Sequence, residues 1–377
     1  MSIDYGVRTP RACPARACEN AGMELLDRKT YYRAFQSHDA RFDGRVFVGV
    51  TSTGIYCRPI CPARAPKFEN CRFFASAAAA QEAGFRPCLR CRPEIAPDLA
   101  FWRGTANTVS RALALIAEGA LDEDEAGVEA LAERLGVGGR QLRRLFKQHL
   151  GASPIAVAQT RRVLFAKQLL HDTRLPMAEV AMSAGFGSVR RFNETFRDLF
   201  DRPPSALRRH RKRQGAGVDT SARDGVTLRL AYRPPYDWPG MLAALAARAT
   251  PGNEWIEGDV WHRRIELDGA EGTVAVAHLP ARNSVSVTIR FPSVKALPVL
   301  VARIRRVFDL GADIATIGSH LARDPKLAPL VARRPGLRAP GDWERETIVS
   351  GIDDKTPRAW RPWHAYAVQH LRMANHG

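Results

Sequence analysis

The sequence predicts a multidomain protein built from three different parts: a small metal-stabilised α/β domain, an all-α domain with two helix-turn-helix motifs, and an α+β domain. Three observations lead to this division. Two close cysteine pairs lie between residues 57 and 91, two similar helical segments between 130 and 207, and four alternating hydrophobic segments between 225 and 291. At 377 residues the chain is also too long for one ordinary hydrophobic core.

Shifts in composition and charge predict the boundaries between these parts. We expect a leader without regular structure at residues 1–29, the metal-stabilised domain at 30–97, the helix-turn-helix domain at 106–213, a polar linker at 214–225, the α+β domain at 226–343 and a C-terminal segment at 344–377. The first 22 residues lack the apolar segment of a secretory signal, and Met23 offers a second possible start.

The net charge indicates a polyanionic partner. Lys and Arg number 57 against 39 Asp and Glu, which gives a formal charge of +18 and a pI of about 10.2. Nucleic acid is the favoured partner, because no apolar run approaches the roughly 18 residues of a membrane-spanning helix. The alternative is a basic surface that serves solubility alone.

Four of the seven cysteines have the spacing of a metal site. Cys57 and Cys61 are separated by three residues, Cys88 and Cys91 by two, and 26 residues lie between the pairs. Two such pairs form a tetrahedral four-thiolate site, for which zinc is the favoured metal and iron the main competitor. Metal-bound thiolates indicate a reducing compartment, so we expect the protein in the cytoplasm.

The other three cysteines lack such a partner. Cys71 lies beside Phe73 and Phe74 and is expected to be a small buried residue, and Cys13 and Cys18 are expected to be bystanders. A site with four protein ligands is usually structural, because it leaves no open position. The exception is chemistry on a ligand itself, since a metal-bound thiolate is a nucleophile at neutral pH.

The middle of the chain contains an internal repeat. The segment "ALAERLGVGGRQLRRLFKQHLGASPIA" aligns with "EVAMSAGFGSVRRFNETFRDLFDRPPSAL", and each copy is a helix, a turn at Gly136 or Gly185, and a second helix. The matching apolar positions are Leu142, Phe146, Leu150 and Pro154 in the first copy and Phe192, Phe196, Phe200 and Pro204 in the second. One continuous helix, "PIAVAQTRRVLFAKQLL", is expected to connect the copies, so that two recognition helices could enter successive major grooves.

Beyond the linker, the hydrophobic pattern changes to strands. The segments "GVTLRLAY", "WHRRIEL", "GTVAVAHL" and "SVSVTIRF" alternate as antiparallel strands do, and the helical segments "WPGMLAALAARA" and "ALPVLVARIRRVFDL" interrupt them. This pattern predicts an α+β domain.

The cysteine-rich segment resembles the amino-terminal domain of the Ada family, which repairs and senses DNA methylation. The resemblance covers roughly residues 30–95, including "TGIYCRP" and "GFRPCLRCRPE". It implies that Cys57 irreversibly accepts a methyl group from a DNA methylphosphotriester, and that Cys61, Cys88 and Cys91 complete the shell of one Zn²⁺ ion. Contacts to the DNA backbone are expected from Thr53, Arg58, Arg64, Arg86 and Arg90, with generic surface arginines as the alternative.

Residues 106–211 resemble the AraC-type DNA-binding domain, which follows the zinc domain in Ada proteins. Arginine can read guanine and asparagine can read adenine, although many such side chains contact phosphate instead. The candidate DNA-binding residues are Arg140, Gln141, Arg143, Arg144 and Lys147 on the first recognition helix and Ser188, Arg190, Arg191 and Asn193 on the second.

The C-terminal part resembles the amino-terminal domain of AlkA-type 3-methyladenine DNA glycosylases, and "AWRPWHAYAVQHL" resembles their last helix. Only 16 residues separate Trp343 from Trp360, where that family has a helical catalytic domain. Asp353 and Asp354 lie in "GIDDKTPRAW", which has no helix-hairpin-helix pattern, and Arg372 stands where the family often has an aromatic residue. We therefore expect no glycosylase activity.

These resemblances favour a bacterial sensor of DNA alkylation. Cys57 would accept the methyl group once per molecule, and the AraC-type domain would then activate repair genes as a DNA-bound monomer. RNA polymerase is a further expected partner. The alternatives are a non-enzymatic AraC-type regulator with a structural zinc, and a glycosylase-related base-excision repair protein. The chain lacks a "PCHR" motif, so reversal of O6-methylguanine damage is not expected.

Overall fold

The computed structural model describes residues 25–96, 107–122, 127–211, 225–344 and 357–375. Within these ranges it contains the three predicted parts in the predicted order, so the multidomain fold class is confirmed. Residues 1–24, most of the 214–225 linker, and Asp353 and Asp354 lie outside the described residues, as do Cys13 and Cys18.

The N-terminal domain is a small sheet with one helix on each side. Its elements are α1 (Leu25–Gln36), β1 (Phe47–Val50), β2 (Ile55–Cys57), β3 (Cys71–Phe74), α2 (Ala77–Glu82) and β4 (Arg86–Pro87). The strand order is β3-β1-β2-β4, and β2 and β4 are parallel while the other pairs are antiparallel. The predicted leader is wrong for residues 25–29, which begin α1 because that helix packs Tyr31, Tyr32 and Phe35 onto the sheet.

The second domain confirms the internal repeat. Its helices are α3 (Asn107–Ala117), α4 (Gly127–Arg134), α5 (Gly139–Leu150), α6 (Pro154–Asp172), α7 (Met177–Ser183), α8 (Val189–Phe200) and α9 (Pro204–Arg211). The two motifs are α4–α5 and α7–α8, and α6 is the continuous connecting helix. Gly136 and Gly185 adopt positive φ angles of 70° and 84°, which glycine tolerates without strain. All eight matching apolar positions of the repeat are buried.

The third domain has a five-stranded antiparallel sheet with the order β5-β9-β8-β7-β6. Its elements are β5 (Val226–Ala231), α10 (Trp238–Ala246), β6 (Glu254–Glu257), β7 (Val260–Leu267), β8 (Ala270–Leu279), β9 (Ser284–Arg290), α11 (Leu297–Val307), α12 (Ile314–Leu321), α13 (Ala328–Arg333) and α14 (His364–Asn375). The four predicted strands are present. The edge strand β6 was not predicted, because "EWIE" is short and half charged.

The C-terminal helix α14 belongs to the third domain rather than to a separate segment. Its residues Tyr366 and Ala367 share one buried cluster with α12 and α13. The Tyr366 hydroxyl donates a hydrogen bond to the Asp309 carboxyl group at 2.6 Å, and Trp360 Nε1 donates to Asp324 Oδ2 at 2.6 Å. Burial raises the pKa of Asp309 to about 7. The described part of residues 344–377 is therefore anchored to the α+β domain.

The three domains pack against one another. The buried residues of α6–α9 and of the β5–β9 sheet form one continuous hydrophobic cluster. The N-terminal domain contacts the turn between α5 and α6, where Ser76 Oγ donates to the Leu150 carbonyl at 2.7 Å. Arg45 reaches the third domain, where it pairs with Asp313 and donates to Thr316 Oγ1 at 2.7 Å. No helix of the described residues is long and apolar enough to cross a membrane.

Candidate metal centre and DNA-binding surface

The four predicted metal ligands lie together at one end of the N-terminal sheet. Cys57 is the last residue of β2, and Cys88 directly follows β4. Because β2 and β4 are parallel, with Tyr56 opposite Pro87, the two cysteines leave the sheet at the same end. Each short loop then brings the second cysteine of its pair, Cys61 or Cys91, back to the same place.

The geometry of the sulfurs fits a tetrahedral zinc site. The Sγ atoms of the four cysteines all lie within 4.8 Å of one another, and all four residues are buried. A tetrahedron with Zn–S bonds of ~2.3 Å has S–S edges of ~3.8 Å. Hydrogen bonding with Cys61 and the other sulfurs, together with burial, raises the pKa of the Cys57 thiol, so a cation is needed to hold all four sulfurs as thiolates.

Backbone amides distinguish Cys57 from Cys88 and Cys91. Arg58 N donates to Cys91 Sγ and Arg90 N donates to Cys88 Sγ, both at 3.3 Å. Among the described residues, no backbone N–H donates to Cys57 Sγ. Hydrogen bonds stabilise a thiolate and reduce its basicity, so these two bonds favour the thiolate forms of Cys91 and Cys88.

The prediction that Arg58 contacts DNA phosphate is wrong for this structure, because its side chain points into the domain. Arg58 is 3% exposed. Its Nε donates to Asp43 Oδ1 at 2.8 Å, and its Nη1 donates to the Cys91 carbonyl at 3.1 Å. A buried guanidinium needs a buried carboxylate, and Asp43 provides it. Arg58 therefore stabilises the loop that carries Cys91 through hydrogen bonds inside the domain.

The remaining predicted backbone contacts of the N-terminal domain stay predictions. Thr53 lies exposed in the turn between β1 and β2, and Arg86 N donates to the Gly54 carbonyl at 2.8 Å, which places Arg86 beside the same turn. Arg64 and Arg90 are exposed in the two loops that carry the metal ligands. Arg64 and Arg90 therefore lie in the loops that hold the sulfur cluster, whereas Thr53 and Arg86 lie at the other end of β2 and β4.

On the first recognition helix, α5, the predicted DNA-binding residues are all exposed: Arg140, Gln141, Arg143, Arg144 and Lys147. Lys147 differs from expectation, because its ammonium pairs with Glu82 of the N-terminal domain at 3.3 Å. It also donates to the Gly151 carbonyl at 3.1 Å. The structure thus gives Lys147 an interdomain contact at the end of α5, whereas Arg140, Arg143 and Arg144 remain on the outer face.

On the second recognition helix, α8, Ser188 is the N-cap, and its hydroxyl accepts a hydrogen bond from Arg191 N at 3.1 Å. Arg190 is exposed and pairs with Glu194 at 2.8 Å. Arg191 is exposed and Asn193 is half-buried. The Ser188 hydroxyl oxygen already accepts a hydrogen bond from the helix backbone. Arg190, Arg191 and Asn193 are therefore the better candidates for DNA contacts.

Sequence reasoning missed three charged residues near the metal centre: Asp43, Glu94 and Lys167. Each is less than a tenth exposed, and each pairs with a residue that is distant in the sequence. The only local signal is that Asp43 and Glu94 are acidic residues within a strongly basic segment. Nothing in the sequence near Lys167 shows that this lysine is buried.

Three family models match the chain in the order of its domains. The model described as "Metal binding domain of Ada" matches residues 30–94, the model described as "Helix-turn-helix domain" matches 131–210, and the model described as "AlkA N-terminal domain" matches 227–344. The last match ends at Glu344, one residue beyond the predicted range 226–343 of the α+β domain.

Two curated relatives match large parts of the chain. A Mycobacterium tuberculosis protein named "Probable bifunctional transcriptional activator/DNA repair enzyme AlkA" is 42% identical over 309 residues, which cover 82% of this chain. The match spans only 61% of that relative's length. "Bifunctional transcriptional activator/DNA repair enzyme AdaA" from Bacillus subtilis is 30% identical over 198 residues, which are 51% of this chain and 87% of that protein.

The chain belongs to the Ada family of proteins that carry a metal-binding domain followed by an AraC-type helix-turn-helix domain, here joined to an AlkA-type amino-terminal domain. A solved structure titled "Crystal structure of the methylated N-ADA/DNA complex" is 34% identical, covers 36% of this chain and 97% of its own, and has a TM-score of 0.18. The family and the four-cysteine geometry together confirm a single four-thiolate zinc site.

Proposed function

We propose that this protein is a sensor of DNA alkylation damage. Cys57 takes a methyl group from a methylphosphotriester in double-stranded DNA, and the methylated protein then activates transcription of repair genes. The observation that carries this proposal is the arrangement of the sulfurs: Cys57 belongs to the buried four-sulfur cluster, and the Arg58 and Arg90 amides donate to Cys91 and Cys88 rather than to Cys57. The names of the relatives, which combine transcriptional activation with DNA repair, support it.

The transfer is a nucleophilic displacement at the methyl carbon. The bound zinc ion would supply one function, which is to keep the Cys57 sulfur deprotonated at neutral pH. The S–C bond forms as the methyl C–O bond breaks, and the electron pair of that bond stays on the phosphate oxygen. The products are a thioether and an ordinary phosphodiester anion, so no proton moves. Because a thioether does not return the methyl group, each protein molecule reacts once.

The charge change can account for the switch in DNA affinity. Four thiolates around zinc carry a formal charge of −2, and methylation of Cys57 lowers this to −1. For two phosphates at ~7 Å and an effective dielectric constant of ~40, the relief of repulsion is ~1.2 kcal/mol each. The total of ~2.4 kcal/mol corresponds to roughly 50-fold tighter binding.

The exposed arginines support the DNA-binding part of the proposal. Arg64 and Arg90 would hold the damaged backbone beside Cys57, and Thr53 and Arg86 would contact the backbone from the turn that precedes β2. The outward-facing arginines of α5 and α8 would bind the promoter, and α6 sets the distance between the two helices. We propose that the protein acts as a monomer on DNA and that RNA polymerase is its partner there.

The AlkA-type part supports an accessory role rather than base excision. The family match ends at residue 344, and the helix α14 packs back onto α12 and α13 of the same domain. Only residues 345–356 lie between these described parts, which is too few for a helical catalytic domain. We therefore propose that this domain releases no methylated bases.

Peptide mass spectrometry after exposure to methylphosphotriester DNA tests the proposal. We expect a gain of about one methylene mass, confined to the Cys57 peptide, at no more than one methyl group per protein. Cys57→Ala should abolish the gain. Cys71→Ala is the matched control, because Cys71 is buried in the same domain but outside the cluster.

The same reaction mixture distinguishes the alternatives. An unmodified Cys57 peptide in zinc-loaded protein would refute methyl transfer and leave a regulator with a structural zinc. Release of free 3-methyladenine from alkylated DNA, with repeated turnover, would show that the AlkA-type domain is an active glycosylase.

A further inference from the structure

A buried ion pair joins the metal-ligand loop to the DNA-binding domain. The Lys167 and Glu94 side chains are both 0% exposed and pair with each other. Glu94 lies in the 3₁₀ turn Pro93–Ile95, three residues after the ligand Cys91, and Lys167 lies on the connecting helix α6. Burial alone would raise the pKa of Glu94, but the positive charges of Lys167 and Arg92 hold it at about 2, so the Glu94 carboxylate is charged at neutral pH.

Lys167 also contacts a metal ligand directly. Its Nζ donates to the Cys88 carbonyl at 3.1 Å. Since a cysteine carbonyl oxygen and its own sulfur are at most ~5 Å apart, Lys167 Nζ is no more than about 8 Å from Cys88 Sγ. At this distance and in a dry interior, a change of one unit charge at the sulfur cluster acts strongly on the ammonium group.

Further polar contacts around Lys167 involve residues of all three domains. Arg92 donates to Glu94 Oε1 and to Asp172 Oδ1 of α6, both at 2.9 Å. We call Arg92, Glu94, Lys167 and Asp172 the junction. The third domain closes one side of it, because Gln168 Nε2, next to Lys167, donates to the Arg229 carbonyl of β5 at 3.0 Å. Leu89, between the two ligand cysteines of this loop, packs against the shared hydrophobic cluster.

We propose that Lys167 is a positioning residue of the zinc centre, and that its hold on the Cys88–Cys91 loop weakens when methylation lowers the negative charge of the centre. This inference rests on the proposed function for the natural trigger. Lys167 is the charged group of α6 that contacts a ligand residue, so it loses attraction when the formal charge changes from −2 to −1. The change is thus transmitted through the protein to α6, in addition to its direct effect on DNA phosphates.

Hydrogen–deuterium exchange of the zinc-loaded full chain tests the inference. The exchange of residues 91–96 and 163–172 is compared before and after reaction with methylphosphotriester DNA, with the DNA removed at high salt. We expect about tenfold faster exchange in both segments after methylation. The same mass spectra show whether Cys57 carries the methyl group, so failure of methyl transfer is seen separately.

Three variants complete the test. Lys167→Met combined with Glu94→Gln removes both charges without leaving one unpaired, and its exchange should be equal before and after methylation. Lys295→Met, at an exposed lysine of the third domain, is the control and should behave as the unaltered protein. Cys57→Ala, with zinc retention verified by native mass spectrometry, removes one negative charge without any transfer and should show the faster exchange by itself.

Three results would overturn the inference. The first is unchanged exchange in protein whose Cys57 is methylated. The second is a methylation-dependent increase of the same size in the Lys167→Met/Glu94→Gln protein. The third is unchanged exchange in zinc-loaded Cys57→Ala, which decides the question even where no methyl transfer occurs.

Discussion

Two buried cations stand next to the sulfur cluster, and both are parts of ion pairs. Arg58 bonds to Asp43 and to the Cys91 carbonyl, and Lys167 bonds to Glu94 and to the Cys88 carbonyl. Positive charge near four thiolates reduces the cost of burying a centre with a formal charge of −2. The basic residues around the sulfur cluster therefore fall into two groups. Some are buried and stabilise the cluster, and others, such as Arg64, are exposed to solvent.

Replacement of Arg58 tests this division. Arg58→Met leaves the Asp43 carboxylate buried without its partner, so we expect a loss of about 3 kcal/mol in the free energy of unfolding and faster zinc release to a chelator. Arg64→Met, at an exposed position, should change the stability by less than about 0.5 kcal/mol. Urea unfolding of the zinc-loaded protein measures both. If Arg58→Met left the stability unchanged but weakened DNA binding, the result would support the predicted contact between Arg58 and a DNA phosphate.

The two recognition helices have the same buried pattern and different termini. In both α5 and α8, aromatic or aliphatic residues at matching positions face the core and arginines face outward. The helix α8 begins with Ser188 as a side-chain cap, whereas α5 begins at Gly138 without a side-chain cap hydrogen bond. The end of α5 is instead tied to the N-terminal domain through Lys147 and Glu82. The first motif is therefore coupled to the metal domain, and the second to the AlkA-type domain.

Replacement of Arg191 tests the outer face of α8. Arg191→Ala should leave the fold unchanged, weaken binding to a random-sequence duplex, and lower the slope of log K against log salt by about 1, as expected for one lost phosphate contact. Asp198→Ala, on an exposed acidic residue of the same helix, is the matched control and should not weaken binding. DNA titrations at several salt concentrations measure the slopes. Equal slopes for Arg191→Ala and the unaltered protein would exclude a phosphate contact at this position.

At the scale of the whole molecule, the three domains are connected by specific polar contacts as well as by a shared core. Arg45 links the metal domain to Asp313, and Arg306 links the AlkA-type domain to Glu118, directly after α3, at 3.5 Å. The Lys167–Glu94 pair lies where all three domains meet. The AlkA-type domain thus has a structural use in this chain: it closes one side of the junction.

Zinc removal should reveal how these contacts depend on the metal. Chelation under reducing conditions should unfold residues 47–96, because this small domain has too thin a core to fold without its four-thiolate centre. The helices α7–α8 and the β5–β9 sheet share a large core and should stay protected. Limited proteolysis combined with hydrogen–deuterium exchange checks both expectations. Full protection of residues 47–96 after complete zinc loss would show that the metal is not required for this fold.

Local sequence patterns determined the elements and the chemistry of the site. Cysteine spacing identified the four ligands, the period of the apolar positions identified both helix-turn-helix motifs, and alternation identified four strands of the second sheet. The helices and strands can be predicted from the sequence because the spacing of apolar residues along each element shows which of its faces is buried. The family resemblance, rather than spacing, selected Cys57 as the reactive sulfur.

Only the tertiary structure decided which charged residues are buried. Arg58 and Arg90 look alike in the sequence, yet Arg58 is enclosed with Asp43 while Arg90 is exposed. Lys167 reaches the Cys88 carbonyl across 79 positions of the chain. Local patterns contain no information about such pairs. A charged side chain is buried only where folding places an oppositely charged group beside it and excludes solvent from both.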